Sequence, residues 1–263
     1  MGVAPSKAWR ELASSWDAWF FTLAYAVAVP TLGYFRFRQL LRLADHFWPT
    51  RRKLIFYGKI ICSQWLLAAT MLVIARYHGL SKGDLGEGLA DPWRTAGATL
   101  VLVLILAVVF AILFIRLRHS GPKAFIRKMG RLQSMTPTFG PEMAGYAVVC
   151  LTAGICEELL YRGWLVNILW AALGSVWVAV AVAGIAFGAG HIYQGAKGVL
   201  RTAFIGFQFG ALYIMVGSLI PGQVLHAGFD FLIGLTGAFA ISLQGGARRE
   251  PPTGSSTISS SAF

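Results

Sequence analysis

The C-terminal half of this sequence carries a few ionisable side chains within long apolar segments. Between Met143 and Ala247 the acidic residues, histidines and basic residues are Glu157, Glu158, Asp230, His191, His226, Arg162, Lys197 and Arg201. Placing four such charges near the centre of a bilayer costs on the order of 10 kcal/mol, and a chain keeps them only where they pair and where function requires them. The pattern therefore predicts one polar site assembled from several apolar helices.

The first candidates are Glu157, Glu158 and Arg162, near the end of an apolar helix that begins at about residue 142. Helical spacing places Glu158 and Arg162 on one face, where they can form an ion pair. Glu157 points elsewhere, and two adjacent carboxylates in a low dielectric do not both ionise cheaply. Glu157 is therefore a candidate general base that takes a proton from water. The alternative interpretation is that both carboxylates mark an interfacial helix end.

The two histidines supply the remaining candidates. His191 closes a long uncharged run, and His226 precedes Asp230 by four residues, which places those two on one face of another helix. A lone histidine is more often a structural residue. Two imidazoles and three carboxylates on three apolar helices are better explained by one shared site.

Two mechanisms fit these residue types. In the first, His191 and His226 with the carboxylate of Asp230 bind Zn²⁺ and leave an open position for a water that Glu157 deprotonates. In the second, Glu157 activates water without a metal, and the histidines and Asp230 hold the water and stabilise the oxyanion. Both mechanisms end in hydrolysis of a peptide bond. The His-Glu-x-x-His spacing of the common zinc proteases is absent from this arrangement.

The elements that position these residues are membrane-spanning helices. The chain has 263 residues, of which 56% are hydrophobic and only 13% charged, and this excludes an ordinary soluble domain. Because lipid offers no partners to exposed backbone groups, we expect an all-α, polytopic transmembrane helical bundle of seven or eight helices. The predicted spans lie near 16–35, 54–76, 95–116, 142–161, 164–190, 198–217 and 219–243.

Glycine and proline residues indicate where these spans turn or pack. The predicted turns are at Gly174, Gly190, Gly195, Gly217, Pro221 and Gly222. The pairs Gly184 with Gly188 and Gly206 with Gly210 have the spacing that lets transmembrane helices approach closely.

The net charge of +12 reflects membrane topology rather than nucleic-acid binding. Eighteen of the 23 Lys and Arg residues precede Glu142, mostly in short loops between apolar runs. Such loops face the cytoplasm, so we expect the loops around residues 36–53 and 116–131 on that side and the segment between them outside. The predicted partners are the lipid bilayer and a peptide or membrane-protein substrate, with no nucleic acid.

The chain divides into three predicted parts. Residues 1–141 hold N-terminal transmembrane segments with basic cytoplasmic loops, and residues 142–244 form the catalytic core. Residues 245–263 are rich in Gly, Pro and Ser, have little to bury, and are expected to be disordered.

The motif order in the core resembles the CPBP family, which comprises CAAX prenyl proteases and the Abi-like, bacteriocin-processing enzymes. The motifs are Glu-Glu-x-x-x-Arg, Phe-x-x-x-His and His-x-x-x-Asn or Asp, and the matching residues here are Glu157, Glu158, Arg162, Phe187, His191, His226 and Asp230. The resemblance implies an eight-helix membrane protease in which the first Glu activates water, the two His complete the site, and Glu158 with Arg162 maintains it. It also implies a bacterial plasma-membrane protein, with Zn²⁺ as a possible cofactor.

Asp230 departs from the prenyl-protease pattern, which has Asn at this position. An amide can donate a hydrogen bond to an oxyanion, whereas an ionised carboxylate cannot. The prediction is an intramembrane endopeptidase acting on a membrane-associated, prenylated or leader-bearing substrate. The alternative is an ion- or proton-coupled transporter that uses the same buried groups, which would require a continuous polar pathway.

Overall fold

The fold is seen in a computed structural model that describes residues 5–42, 48–89 and 91–247. Every regular element in these ranges is a helix, which confirms the predicted all-α bundle. The α-helices are α1 (Lys7–Leu12), α2 (Trp16–Leu23), α3 (Val29–Arg42), α4 (Thr50–Tyr77), α5 (Pro92–Met129), α6 (Pro141–Glu158), α7 (Asn167–Leu173), α8 (Val176–Gly190), α9 (Gly195–Val216) and α10 (Ile220–Ala247). Two π-helical segments, Ala24–Ala28 and Leu159–Val166, and two short 3-10 helices, Gly130–Met135 and Ile192–Gln194, connect some of them.

Six helical stretches are long and apolar enough to cross a membrane, so this is an integral membrane protein. They are Trp16–Gln39, Thr50–Tyr77, Pro92–Arg127, Pro141–Leu173, Ile192–Val216 and Ile220–Gln244. Helix α8 adds a shorter apolar helix, in agreement with the predicted number. Of the tail predicted to be disordered, residues 245–247 end α10, and residues 248–263 lie outside the described residues.

The predicted interruption between the fourth and fifth spans, near residues 161–164, is wrong. Helix α6 continues through the π-helical segment Leu159–Val166 into α7, and the first turn after it is at Gly174, where φ is +73°. The turns predicted at Gly195 and Gly217 are also present with positive φ, the conformation that glycine adopts without steric cost. Pro221 and Gly222 do not form a turn, because they lie in the first turn of α10, where proline is tolerated.

Helix α5 bends where its apolar part gives way to its basic part. Gly121 has φ +75° within α5, and Pro122 follows it. A residue with positive φ and a proline that lacks an N–H together interrupt the backbone hydrogen bonds of a helix. The basic residues from Lys123 onward therefore continue in a new direction.

The bundle has two chemically different ends. At the loop end, formed by α1 and residues 78–89, Trp9 Nε1 donates to Asp84 O over 3.3 Å and the N–H of Leu219 donates to Gly86 O over 3.0 Å. At the basic end, where α3 ends and α4 and α6 begin, Phe37 and Phe56 pack against Trp48 and Met135, and the Phe37 ring lies 4.6 Å from the Tyr193 ring. Because α4 and α6 both begin at the basic end, they run parallel to each other.

The main apolar core joins the N-terminal helices to the α6–α7 region. Trp164 is fully buried, and its ring packs edge-on against the rings of Trp9 and Phe21 at 5.9 and 5.7 Å. Its Nε1 donates to Thr22 Oγ1 over 2.9 Å, so the buried indole N–H is satisfied. The core thus draws residues from both sides of the division predicted at residue 141, and that division stays a prediction.

Candidate active site

Glu157 and Glu158 lie where α6 changes into a π-helical segment. Every residue of Leu159–Val166 is buried, so the two carboxylates are in the interior of a continuous span and not at an interfacial helix end. Single π-helical turns widen a helix locally and occur often at functional sites.

Glu158 and Arg162 form the buried ion pair expected from their spacing. Arg162 Nη1 lies 3.0 Å from Glu158 Oε1, and their side chains are 2% and 1% exposed. Arg162 Nη2 also donates to Gly206 O over 3.1 Å, and the guanidinium lies over the rings of Phe187 and Phe209. This pair satisfies the requirement that a buried charge be both paired and hydrogen-bonded.

His226 on α10 connects this ion pair to the remaining carboxylates. Its Nδ1 lies 3.0 Å from Glu158 Oε1. On the other edge of the ring, Nε2 lies 3.8 Å from Glu157 Oε2 and 3.7 Å from Asp230 Oδ2. The structure therefore brings the carboxylates of Glu157, Glu158 and Asp230 around the imidazole of His226, with Arg162 paired to Glu158.

Close helix packing makes this approach possible. A β-carbon on Gly154 would lie only 2.7 Å from Gln223 O and 2.8 Å from the β-carbon of Ala227, so α6 and α10 touch at residue 154 through glycine. The contact lies one turn before Glu158 on α6 and beside His226 on α10. Any larger residue there would separate Glu158 from His226.

His191 lies at the C-terminal end of α8, and its ring contacts the Phe187 ring, which also contacts the His226 ring. The Phe187 ring lies 4.9 Å from the His191 ring and 5.9 Å from the His226 ring. His191 Nδ1 is 2.9 Å from Phe187 O, and because a carbonyl oxygen only accepts, Nδ1 is the donor. In the neutral ring, Nε2 is then the atom free to accept a proton.

The structure adds one residue that the sequence analysis missed. Gln64 on α4 donates from Nε2 to Glu157 Oε1 over 2.7 Å. It is a single amide in the uncharged run of residues 60–75, and that isolation is the only signal in the sequence that could have pointed to it.

The zinc prediction named His191, His226 and Asp230 as ligands. Within residues 5–42, 48–89 and 91–247, no group of three His, Cys, Asp or Glu side chains is arranged to hold a metal ion. His226 Nδ1 is engaged with Glu158, and His191 Nδ1 with a backbone carbonyl. The residues in this arrangement do not fit a zinc ion, so no step below passes through one, and the zinc prediction stays a prediction.

Comparison with known proteins bears on this geometry. Residues 139–232 match the family model described as Type II CAAX prenyl endopeptidase Rce1-like. Through this segment, 94 of the 263 residues, the chain is similar to that family. The matched segment contains all six predicted site residues, whereas Gln64 lies outside it. No curated protein and no solved structure gives a significant match.

Similarity to a CAAX prenyl endopeptidase over this segment supports an intramembrane endopeptidase with a peptide substrate. This agrees with the coarse prediction of a membrane-embedded hydrolase. The alternative prediction of an ion-coupled transporter gains no support from the match.

Proposed function

We propose that this protein hydrolyses a peptide bond of a membrane-associated substrate by means of a water held between Glu157 and Asp230. The observation that supports this is the separation of His226 Nε2 from Glu157 Oε2 and Asp230 Oδ2, 3.8 and 3.7 Å. These distances are too long for direct hydrogen bonds. They suit a small molecule that hydrogen-bonds to several polar groups at once.

A water at this position donates one hydrogen to each carboxylate and keeps both lone pairs free. Glu157 Oε2 takes one proton as the water oxygen bonds to the carbonyl carbon, and the carbonyl oxygen becomes an anion. Because Nδ1 donates to Glu158, His226 acts in this step as the imidazolium, and its Nε2–H is donated in a hydrogen bond to that anion. When the carbon–nitrogen bond breaks, the proton held by Glu157 passes to the leaving amine, so the sum is peptide plus water to acid plus amine.

Glu158 and Arg162 keep His226 in position for this role. Glu158 Oε1 accepts from both Arg162 Nη1 and His226 Nδ1, each over 3.0 Å, which fixes the plane and the direction of the imidazole. A second group that orients the catalytic imidazole is a recurring feature of hydrolytic sites. We assign His191 to the site as its second imidazole, since its ring and the His226 ring contact the same Phe187 ring.

The proposed substrate is a prenylated or leader-bearing peptide that reaches the site within the bilayer. The family match and the location of the carboxylates in apolar helices support this class. Asp230 in place of the Asn of the prenyl-protease pattern supports testing both kinds of peptide. The proposed location is the plasma membrane of a bacterium, as the resemblance implies.

Replacing Glu157 with Gln tests the proposal. The purified protein in phospholipid nanodiscs is incubated with a prenylated peptide ending in a CAAX sequence, with the same peptide lacking the prenyl group, and with a leader-bearing peptide. We expect Glu157→Gln to lower kcat by about 10²- to 10⁴-fold, the usual contribution of general base catalysis. Glu11→Gln is the matched control, because Glu11 is exposed at the loop end, where it pairs with Lys7.

Cleavage by Glu157→Gln at the wild-type rate would rule out Glu157 as the base. Metal analysis of the same preparations tests the metal-free mechanism. We expect full activity after treatment with a chelator, since the proposed steps use only the protein's own side chains. One tightly bound metal ion per chain, with activity lost on chelation and restored by Zn²⁺, would favour the zinc mechanism instead.

A further inference from the structure

Gln64 is an unusual side chain for its surroundings. It lies in an apolar transmembrane helix, and its Nε2 donates to Glu157 Oε1 over 2.7 Å. Its Oε1 is buried and accepts no hydrogen bond from the part of the protein that the structure describes. A buried amide oxygen without a partner costs free energy. Packing alone therefore does not account for a glutamine at this position.

The register between α4 and α6 is set by contacts nearer the basic end. Lys53 Nζ lies 2.8 Å from Glu142 Oε2, with both side chains at most 5% exposed, and the Tyr57 ring lies 5.9 Å from the Tyr146 ring. About three helical turns separate Lys53 from Gln64, so both lie on the face of α4 that meets α6. These contacts hold the Gln64 amide at the height of Glu157.

The hydrogen bond from Gln64 to one oxygen of the Glu157 carboxylate determines where the other oxygen points. With Oε1 of Glu157 held by Gln64, Oε2 faces His226 Nε2 at 3.8 Å. We propose that Gln64 is a positioning residue that holds Glu157 with Oε2 directed at the reacting water, an inference that rests on the function proposed above. The N-terminal half of the chain, outside the matched segment 139–232, thereby contributes directly to the site.

Substitution of Gln64 by Met separates positioning from packing. Methionine has a similar length and volume but no amide, so it keeps the packing of α4 while leaving Glu157 Oε1 without its donor. A packing role thus predicts unchanged kcat. Positioning predicts that kcat falls about 10- to 100-fold, as for other small displacements of catalytic groups, while KM and the thermal midpoint do not fall.

Two further variants and one control complete the series. Gln64→Glu keeps the shape but replaces the donor with a second carboxylate, so kcat should fall at least as far as in Gln64→Met. Gln64→Asn keeps the amide on a shorter side chain and should lie between Gln64→Met and the wild type. Gln208→Met is the matched control, because Gln208 is exposed on α9, and it should retain wild-type kcat.

The outcomes distinguish this inference from the proposed function. If Gln64→Met kept the wild-type kcat while Glu157→Gln lost activity, the role of Gln64 would be overturned and the protease function would stand. A fall in kcat that merely follows a lower thermal midpoint would also overturn it. Absence of cleavage by the wild-type protein on all three peptides would reject the protease function, and the role of Gln64 with it.

Discussion

At the scale of single residues, two neighbouring glutamates have opposite environments. Glu158 is 1% exposed, and its Oε1 accepts from the guanidinium of Arg162 and from His226. Glu157 has a 19% exposed side chain, and a neutral amide is its nearest donor. The buried carboxylate is thus compensated by a charge, whereas its neighbour is held by a neutral side chain.

Replacing Arg162 tests the ion pair on which this difference depends. Arg162→Met leaves the Glu158 carboxylate buried without its cation, and we expect the free energy of unfolding in detergent to fall by about 3–5 kcal/mol. Arg162→Lys keeps the charge but loses the planar fork that also reaches Gly206 O, so its loss should be smaller. Arg201→Met, at an exposed arginine on α9, is the control and should unfold like the wild type. Wild-type stability in Arg162→Met would contradict a structural need for the pair.

At the scale of helices, two kinds of contact determine how the site is assembled. Glycines let α8 and α9 approach closely, and the ion pair of Lys53 with Glu142 acts as a clamp between α4 and α6. A β-carbon on Gly184 would lie 2.8 Å from Phe207 N, and one on Gly206 would lie 3.0 Å from Gly184 Cα. The small-residue spacing thus predicted the α8–α9 contact correctly. The contact between α4 and α6 has a different basis, because the buried Glu142 carboxylate accepts from Lys53, Thr50 and Thr138.

Replacing Lys53 tests the clamp. Glu142 is 3% exposed, so in Lys53→Met its carboxylate stays buried without a cation, and we expect a loss of about 3–5 kcal/mol in the free energy of unfolding. Changing the partner as well, in Lys53→Met with Glu142→Gln, should recover much of that loss because no unpaired charge remains. Lys59→Met, at an exposed position on α4, should have no effect. If the double variant were no more stable than Lys53→Met, the loss would have another cause.

At the scale of the whole molecule, the two ends of the bundle predict its orientation. Arg36, Arg38, Arg51, Arg52 and Lys53 lie towards the basic end, whereas the segment of residues 78–89 carries acids and bases together. Because basic loops stay in the cytoplasm, the site should open towards a substrate from that side or from the lipid.

Labelling of single cysteines in intact cells tests this orientation. In a Cys62→Ala background, Lys82→Cys should react with a membrane-impermeant maleimide added outside, because Lys82 is exposed in the loop-end segment. Arg51→Cys, exposed at the start of α4, should react only after the cells are permeabilised. The reverse pattern would place the basic end outside.

The sequence by itself determined the class of the fold and predicted which side chains would form the site. Hydropathy and the free-energy cost of charge in lipid act on each segment separately, so the spanning helices could be predicted from composition. Spacing within one helix was enough to pair Glu158 with Arg162, because residues four apart share a face. Short motifs on separate helices also resembled the family whose model residues 139–232 match.

Only the tertiary structure decided which atoms meet across helices. The 3.8 and 3.7 Å distances around His226 Nε2 depend on how closely α6 and α10 approach at Gly154, and the contact of Gln64 with Glu157 depends on the register of α4. The continuous helix through Tyr161 also escaped prediction, because a π-helical segment forms where tertiary packing compensates for its weaker local geometry. Distances between helices are set by packing summed over the whole bundle, and no local pattern of residues encodes them.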